Sequence, residues 1–183
     1  MKTEIEVKAR ITDREAVREK LAALGCAFSN PITQDDTVYT VKVGTLEEFL
    51  SNDIFLRIRI QNDGRVILTA KKPVKKGAEN LVKIEHEIIV SVAEEGQAIL
   101  EMMGYQQAVR VKKTRQTAHF NDYEICLDDI EGLGSFIELE QMWESAEADG
   151  IQEKMFAFLM SLGISPEQQV KKGYDILMIE RDI

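Results

Sequence analysis

From Glu4 to Arg10, charged and apolar side chains alternate strictly, with Ile5, Val7 and Ala9 at the apolar positions. Successive side chains of a strand point to opposite faces, so this segment predicts a β-strand with one charged face and one apolar face. Its first two carboxylates would lie about 7 Å apart on one face, where they could hold a hard divalent cation. For this segment alone, a solvated strand face is the alternative interpretation.

The same alternation recurs along the chain, which favours a shared role for the charged faces. Its later charged positions are Arg57, Arg59, Lys83, Glu85, Glu87, Lys113, Arg115, Glu138 and Glu140. A sheet closed with these faces inward would enclose a charged lumen and leave the apolar faces outside, under helices. Such a lumen suits a polyanion bridged by a metal ion, because Arg and Lys bind phosphate oxygens and Glu binds cations.

Capping signals predict four helices between or after the strands. They span residues 12–24, 91–103, 146–162 and 165–178, with Thr12, Ser91 and Ser165 as predicted N-caps. A Glu-x-Glu strand, a helix and a Leu-Gly or Met-Gly pair occur in that order three times, ending at Gly25, Gly104 and Gly163. This repetition is compatible with a barrel built from related strand–helix units. Residues 73–80 predict a flexible, basic hairpin loop.

Length and charge narrow the class of protein. The 183 residues suit one domain over 1–183, and 44% apolar with 30% charged residues is typical of a globular protein. A net charge of −9 argues against nucleic acid as a partner, although a basic pocket can still bind phosphate. Two cysteines without metal-type spacing suggest a reducing compartment. No apolar run reaches membrane length, so we expect a cytoplasmic protein without a membrane partner.

These motifs resemble those of the CYTH family, the triphosphate tunnel metalloenzymes. Glu4-x-Glu6-x-Lys8 is similar to the defining motif of the family. The similarity continues in order through Arg57-x-Arg59, Thr69-Ala70-Lys71, Lys83-x-Glu85-x-Glu87, Lys113-x-Arg115, Leu127-Asp128 and Gly132-Leu133-Gly134-x-Phe136-x-Glu138-x-Glu140. The resemblance implies an α+β fold, in which an eight-stranded antiparallel β-barrel forms a tunnel with a charged interior and helices packed outside.

The resemblance also implies a set of site residues. The candidate metal ligands are carboxylates, namely Glu4, Glu6, Asp128, Glu138 and Glu140. Oxygen ligands without clusters of His or Cys indicate Mg²⁺ or Mn²⁺, and we interpret His86 and His119 as structural. The candidate triphosphate ligands are Lys8, Arg57, Arg59, Lys71, Lys113 and Arg115, with Lys8, Lys71 and Arg115 as the catalytic set. Glu85 and Glu87 would orient the basic groups, and Lys172 would cap the tunnel.

Within the family, residues 125–134 are most similar to class IV adenylyl cyclases, which convert ATP to cyclic AMP and pyrophosphate. Two hydrolases of the same fold, a thiamine triphosphatase and an inorganic tripolyphosphatase, are the alternatives. A non-catalytic module that binds triphosphate or polyphosphate is a third reading. Each reading implies a nucleoside triphosphate or another triphosphate as the partner, and a homodimer remains open.

Overall fold

The structure is a computed structural model that describes residues 3–73, 82–143 and 149–182. Its strands are β1 (Thr3–Arg10), β2 (Ile32–Thr40), β3 (Phe55–Gln61), β4 (Val66–Pro73), β5 (Val82–Val90), β6 (Gln106–Phe120), β7 (Tyr123–Ile130), β8 (Gly134–Trp143) and β9 (Gln169–Val170). Its α-helices are α1 (Arg14–Ala23), α2 (Leu46–Leu50), α3 (Ala93–Met102), α4 (Asp149–Ser161) and α5 (Tyr174–Asp182). Residues 74–80, most of the predicted basic loop, lie outside the described ranges.

Eight of these strands close into an antiparallel barrel, as predicted. Their order is β5-β4-β3-β2-β6-β7-β8-β1, and the additional pairing of β5 with β1 joins the two ends. The β1–β8 ladder runs from Thr3 to Arg10, whereas the closing pairs are Glu4 with Lys83 and Ile5 with Val82. The two-residue strand β9 adds to β1 at Lys8 and Ala9.

The apolar faces of the strands form the core outside the barrel. Ile5, Val7 and Ala9 are at most 1% exposed and lie in one cluster with residues of α1 and α4, including Leu21 and Leu159. A second outer cluster joins β3 and β4 to Leu100 of α3. The outward apolar face therefore fixes the inward direction of the charged face, since the side-chain period of a strand is two. None of the helices in the described ranges has the length and apolar character needed to cross a membrane.

The last helix departs from the predicted outer layer. Tyr174, Ile176 and Met178 of α5 pack in one cluster with Val38, Val111 and Phe136. Val38 and Val111 also line the tunnel beside Tyr174, so α5 covers an apolar part of the inner barrel surface. The inward faces are not charged along their whole length, and burying these apolar positions favours a helix over one end of the tunnel.

Two predicted N-caps and the extent of the predicted last helix are corrected. The N-cap of α1 is Asp13, whose carboxylate accepts a hydrogen bond from the Ala16 amide, rather than Thr12. The N-cap of α3 is Val92, which has no side-chain capping bond, because the chain stays extended past Ser91. Ser165 is the N-cap, as predicted, but the predicted last helix is divided into a 3₁₀ turn (Pro166–Gln168), strand β9 and α5.

The threefold repetition of a strand, a helix and a glycine is confirmed. β1 precedes α1, β5 precedes α3 and β8 precedes α4. Gly25, Gly104 and Gly163 follow these helices, each with φ of +87°, the left-handed region that glycine adopts without a steric penalty. In each unit the next residue, Cys26, Tyr105 or Ile164, donates its amide to the carbonyl five residues back, which is the Schellman arrangement.

Candidate active site

The inward side chains of the barrel line a cavity of about 120 Å³. Most of the residues predicted for the site meet there: Glu4, Glu6, Lys8, Arg57, Lys71, Lys113, Arg115, Glu138 and Glu140. The lining also contains charged and aromatic residues that were not predicted for the site: Asp36, Lys83, Tyr174 and Asp175. Strand alternation and barrel closure together bring these groups from distant parts of the sequence to one place.

Lys8 lies at the centre of one ion-pair network. Its ammonium is 2.8 Å from Glu138 Oε1 and 3.3 Å from Glu6 Oε1, and the residue is 2% exposed. Burial alone would lower the pKa of Lys8, but the carboxylates of Glu138 and Glu6 raise it above its ordinary value. Lys8 therefore carries a permanent positive charge in the tunnel wall.

Arg115 lies at the centre of a second network. Its Nε and Nη2 donate to the two carboxylate oxygens of Asp128 at 2.7 and 2.6 Å, and Nη2 also pairs with Glu138. Nη1 donates to Glu140 at 3.3 Å. Asp128 is fully buried, and the Lys113 ammonium lies 3.6 Å from it. The buried Asp128 carboxylate thus aligns two cations that face the cavity.

Asp36 organises the arginines of β3. Arg59 donates to both of its carboxylate oxygens, at 2.7 and 2.8 Å, and Arg57 Nη1 lies 3.6 Å from it. On its other side, Arg57 donates to Glu87 at 3.1 Å and lies 3.5 Å from Glu85. Arg57 is therefore held at the cavity by carboxylates on both sides, whereas Nε and Nη2 of Arg59 are both bound to Asp36.

Two carboxylates have less cationic compensation than their neighbours. Burial raises the pKa of Glu4 to about 9, and repulsion from Glu140 adds to this shift. Burial likewise raises the pKa of Glu140 to about 7. For Glu138, by contrast, Lys8 and Arg115 outweigh burial and hold the pKa well below its ordinary value. The neighbouring carboxyl groups of Glu4 and Glu140, which resist ionisation, are suited to bind a divalent cation. Its charge would offset the repulsion between the two ionised carboxylates.

A second cavity, of about 600 Å³, shares Glu4 and Glu140 with the first. Its other walls are His119, Asp122, Glu124, Gln141 and Met142. Glu124 and Glu140 of this cavity and the buried Cys126 behind it each present one potential metal-ligand atom, all within 4.8 Å of one another. The Glu4–Glu140 pair therefore stands between a cavity lined by both basic residues and carboxylates and a larger cavity whose described walls carry carboxylates without Lys or Arg. His119, interpreted as structural from the sequence, borders this second cavity.

Some predicted site residues lie behind or beside the cavity. The described residues that line the smaller cavity do not include Arg59, Glu85, Glu87, Asp128 or Lys172. Glu85 pairs with Lys71, so Glu85 and Glu87 contact the basic groups that they were predicted to orient. The Lys172 ammonium lies 2.6 Å from Glu180 Oε1 of α5.

The lining residues that were not predicted differ in the sequence signal that could have identified them. Lys83 stands at an alternating charged position, and its ammonium lies 3.8 Å from Glu6 Oε2. Asp36 is two residues from Val38 on β2, but the mixed pattern of that strand hides which face is inward. Tyr174 has no local signal, because only the packing of α5 against the tunnel brings it there.

Comparisons with known proteins agree with this architecture. The model of the CYTH domain family matches residues 2–174. A Methanocaldococcus jannaschii protein named "Putative adenylate cyclase" is 32% identical over 172 residues, covering 93% of this chain and 95% of that protein. The solved structure of the PH1819 protein from Pyrococcus horikoshii is 27% identical, with a TM-score of 0.82 and coverage of 97% of this chain and 99% of that one.

A more distant solved structure, from Hippeastrum, is 17% identical, with a TM-score of 0.60 over 94% of this chain and 91% of that one. At this identity it supports the fold alone. The family model, in contrast, spans β1 to the first residue of α5 and includes every strand of the tunnel. The chain therefore belongs to the CYTH family, whose members bind triphosphate substrates and depend on divalent metal ions.

Proposed function

We propose that this protein is a class IV adenylyl cyclase that converts ATP to cyclic AMP and pyrophosphate with Mg²⁺ or Mn²⁺. The observation that carries the proposal is the pair of cavities that share Glu4 and Glu140. A cyclase must hold a phosphate chain and a nucleoside on opposite sides of the α-phosphorus. Two cavities of unlike chemistry that meet at one pair of carboxylates meet this requirement.

The smaller cavity suits the phosphate chain. Its lining carries several cations, namely Lys8, Arg57, Lys71, Lys83, Lys113 and Arg115. Its volume of about 120 Å³ is below the 300–1,000 Å³ typical of pockets that enclose drug-sized ligands. A slender polyphosphate fits this description, whereas the base and the ribose need space elsewhere. Fixed cations around the phosphate oxygens would stabilise charge that develops on the leaving pyrophosphate.

The larger cavity suits the nucleoside. Its carboxylates would repel phosphate, but they accept hydrogen bonds from ribose hydroxyl groups and from the amino group of adenine. Its volume of about 600 Å³ lies within the range for such ligands. A nucleotide with its triphosphate in the smaller cavity and its nucleoside in the larger one has its α-phosphorus beside Glu4 and Glu140.

In the proposed reaction the ribose 3′-oxygen attacks the α-phosphorus. The bond from this phosphorus to the oxygen that bridges it to the β-phosphorus breaks, pyrophosphate leaves, and the 3′-hydroxyl proton passes to water. Glu4, Glu6, Glu138 and Glu140 would hold the divalent ion, which supplies Lewis-acid activation and charge neutralisation when bound. Lys8, Lys71 and Arg115 would hold the phosphate oxygens, and the bidentate pair with the buried Asp128 fixes the orientation of the Arg115 guanidinium.

Hydrolysis is the second candidate, because the acidic walls of the larger cavity also suit a cationic group such as the thiazolium of thiamine triphosphate. The Hippeastrum protein is described as having a dominant triphosphatase activity. In an inorganic tripolyphosphatase, the smaller cavity alone would hold the substrate and water would attack its terminal phosphorus. A binding module would hold triphosphate without releasing a product.

Product identification separates these functions. Purified protein is incubated with ATP and Mn²⁺ or Mg²⁺, and in parallel with inorganic triphosphate and thiamine triphosphate. Cyclic AMP with pyrophosphate supports the cyclase, whereas ADP with phosphate, or faster cleavage of either other substrate, supports a hydrolase. Binding without any product supports the binding module. Full turnover in excess chelator would contradict the metal assignment.

A variant of the larger cavity sharpens this experiment. Asp122→Asn should reduce ATP cyclisation and leave the affinity for inorganic triphosphate unchanged, because Asp122 lines the larger cavity and does not line the smaller one. Equal loss with both ligands would contradict the division of the site.

The proposal further places one CYTH domain over residues 1–183 in the cytoplasm. Sedimentation would test whether two copies form a homodimer.

A further inference from the structure

The hydroxyl oxygen of Tyr174 is buried and has no hydrogen-bond partner among the described residues. The residue is 8% exposed and lines the smaller cavity from the first position of α5. Buried hydroxyl groups in native proteins are almost always hydrogen-bonded, since burial without a partner removes their bonds to water. An unpaired hydroxyl at a ligand cavity therefore indicates a partner supplied by the ligand.

The ring of Tyr174 is held firmly in place. Its centroid is 5.1 Å from that of Phe136 in an edge-to-face contact. The Lys8 ammonium lies 4.2 Å from the ring centroid and the Lys113 ammonium 5.2 Å from it, within the range of cation–π attraction. Tyr174 thus contacts two of the cations assigned to the triphosphate, so a triphosphate bound by both lysines would lie close to Tyr174.

We propose that Tyr174 is a substrate-binding residue whose hydroxyl donates a hydrogen bond to a phosphate oxygen of the bound triphosphate. The inference rests on the proposed function, because a triphosphate must occupy the smaller cavity. Tyr174 also packs within the α5 cluster. A substrate bound by Tyr174 would therefore contact α5, the helix that covers one end of the tunnel.

Tyr174→Phe tests the hydroxyl alone, since the ring and its contacts with Phe136 and the lysines are retained. Binding of inorganic triphosphate in the presence of Ca²⁺ is measured by titration calorimetry, with thermal unfolding of the free proteins alongside. The variant should bind about tenfold to a hundredfold more weakly, the range for a hydrogen bond to a charged acceptor. The Tm of the free variant should be unchanged or higher, because an unpaired buried hydroxyl is lost.

Tyr105→Phe is the matched control, because Tyr105 packs against α3 outside the barrel and its variant should bind as the wild type does. Failure of the wild-type protein to bind triphosphate would contradict the proposed function itself. Wild-type binding with equal affinity of Tyr174→Phe would overturn only the role of Tyr174. A lower Tm of the free Tyr174→Phe protein would also overturn it, since the hydroxyl would then already be satisfied without a ligand.

Discussion

The ammonium of Lys8 lies 2.8 Å from Glu138 Oε1, and the two residues are direct partners across the β1–β8 ladder. Lys8 is 2% exposed and Glu138 is 4% exposed. Both charges are buried and are stabilised mainly by each other and by neighbouring ions. Removing one residue would leave the other as a buried charge without its main counter-charge. Substitutions at these positions therefore affect folding as well as phosphate binding.

Lys8→Met should abolish turnover and lower the free energy of unfolding by about 3–5 kcal/mol, the usual cost of breaking a buried ion pair from one side. Urea denaturation measures the loss. The double variant Lys8→Met/Glu138→Gln should regain part of the stability but none of the activity, because the uncompensated carboxylate is removed with the cation. Lys112→Met, at an exposed position of β6, is the control. Wild-type stability of Lys8→Met would contradict the pairing.

The two arginines of β3 should respond differently to truncation. Arg57→Ala should lower turnover by about two to three orders of magnitude, the scale for one preorganised charge-stabilising group, with little change in Tm. Arg59→Ala should lower Tm more strongly, because Asp36 is 4% exposed and loses its bidentate partner. The nearest arginine left among the described residues is Arg57, 3.6 Å away. Steady-state kinetics and thermal unfolding of both variants distinguish the roles. Equal kinetic and thermal effects would contradict this division.

The three glycines after α1, α3 and α4 allow a test of the repeated helix ends. Gly25→Ala and Gly104→Ala should each destabilise the protein by about 1 kcal/mol, since alanine is strained at positive φ. An added Cβ meets no heavy atom within 4 Å at either position, so the backbone term is measured without a clash. Turnover should be unchanged. Gly150→Ala, at a helical position with open space, is the control and should not destabilise.

The sequence predicts those parts of the site that follow from strand alternation. Glu4, Glu6, Lys8, Glu138 and Glu140 share one face because the side-chain period of a strand is two, and apolar neighbours fix which face is outside. The sequence cannot predict which inward charges neutralise one another. Asp128 falls on an inward position, as expected, but the Arg115 fork encloses it, and this pairing depends on the β6–β7 register.

Long-range packing accounts for the features that the sequence did not reveal. Tyr174 reaches the cavity because α5 turns onto the inner apolar residues of the barrel, a contact between distant parts of the chain. The predicted last helix could not show this, since Ser165 and Pro166 are typical of a helix start but begin a 3₁₀ turn here. The acidic second cavity likewise depends on how the β6–β7 hairpin lies beside β1 and β8.

Substitution of Glu4 should change both the stability and the metal affinity of the protein. Burial raises the pKa of Glu4 from 4.5 to about 9 in the metal-free protein. The folded state therefore holds a proton that the unfolded chain releases at lower pH. The resulting stabilisation is complete below pH 4.5 and is lost as pH rises through 9. Glu4→Gln, which is neutral at every pH, should lose less stability than the wild type between pH 6 and 9, as measured by urea denaturation with chelator present.

Glu138→Gln should have the opposite effect on the free energy of unfolding. Lys8 and Arg115 outweigh burial and hold the pKa of Glu138 well below 4.5. An ionised Glu138 stabilises the fold above its unfolded pKa, so its neutral variant should be destabilised at pH 7. Mn²⁺ must displace the protons of Glu4 and Glu140, so wild-type Mn²⁺ affinity should rise with pH, and Glu4→Gln should weaken it and flatten this dependence. An unchanged Mn²⁺ affinity of Glu4→Gln would remove Glu4 from the metal site, whereas an unchanged stability profile would contradict its shifted pKa.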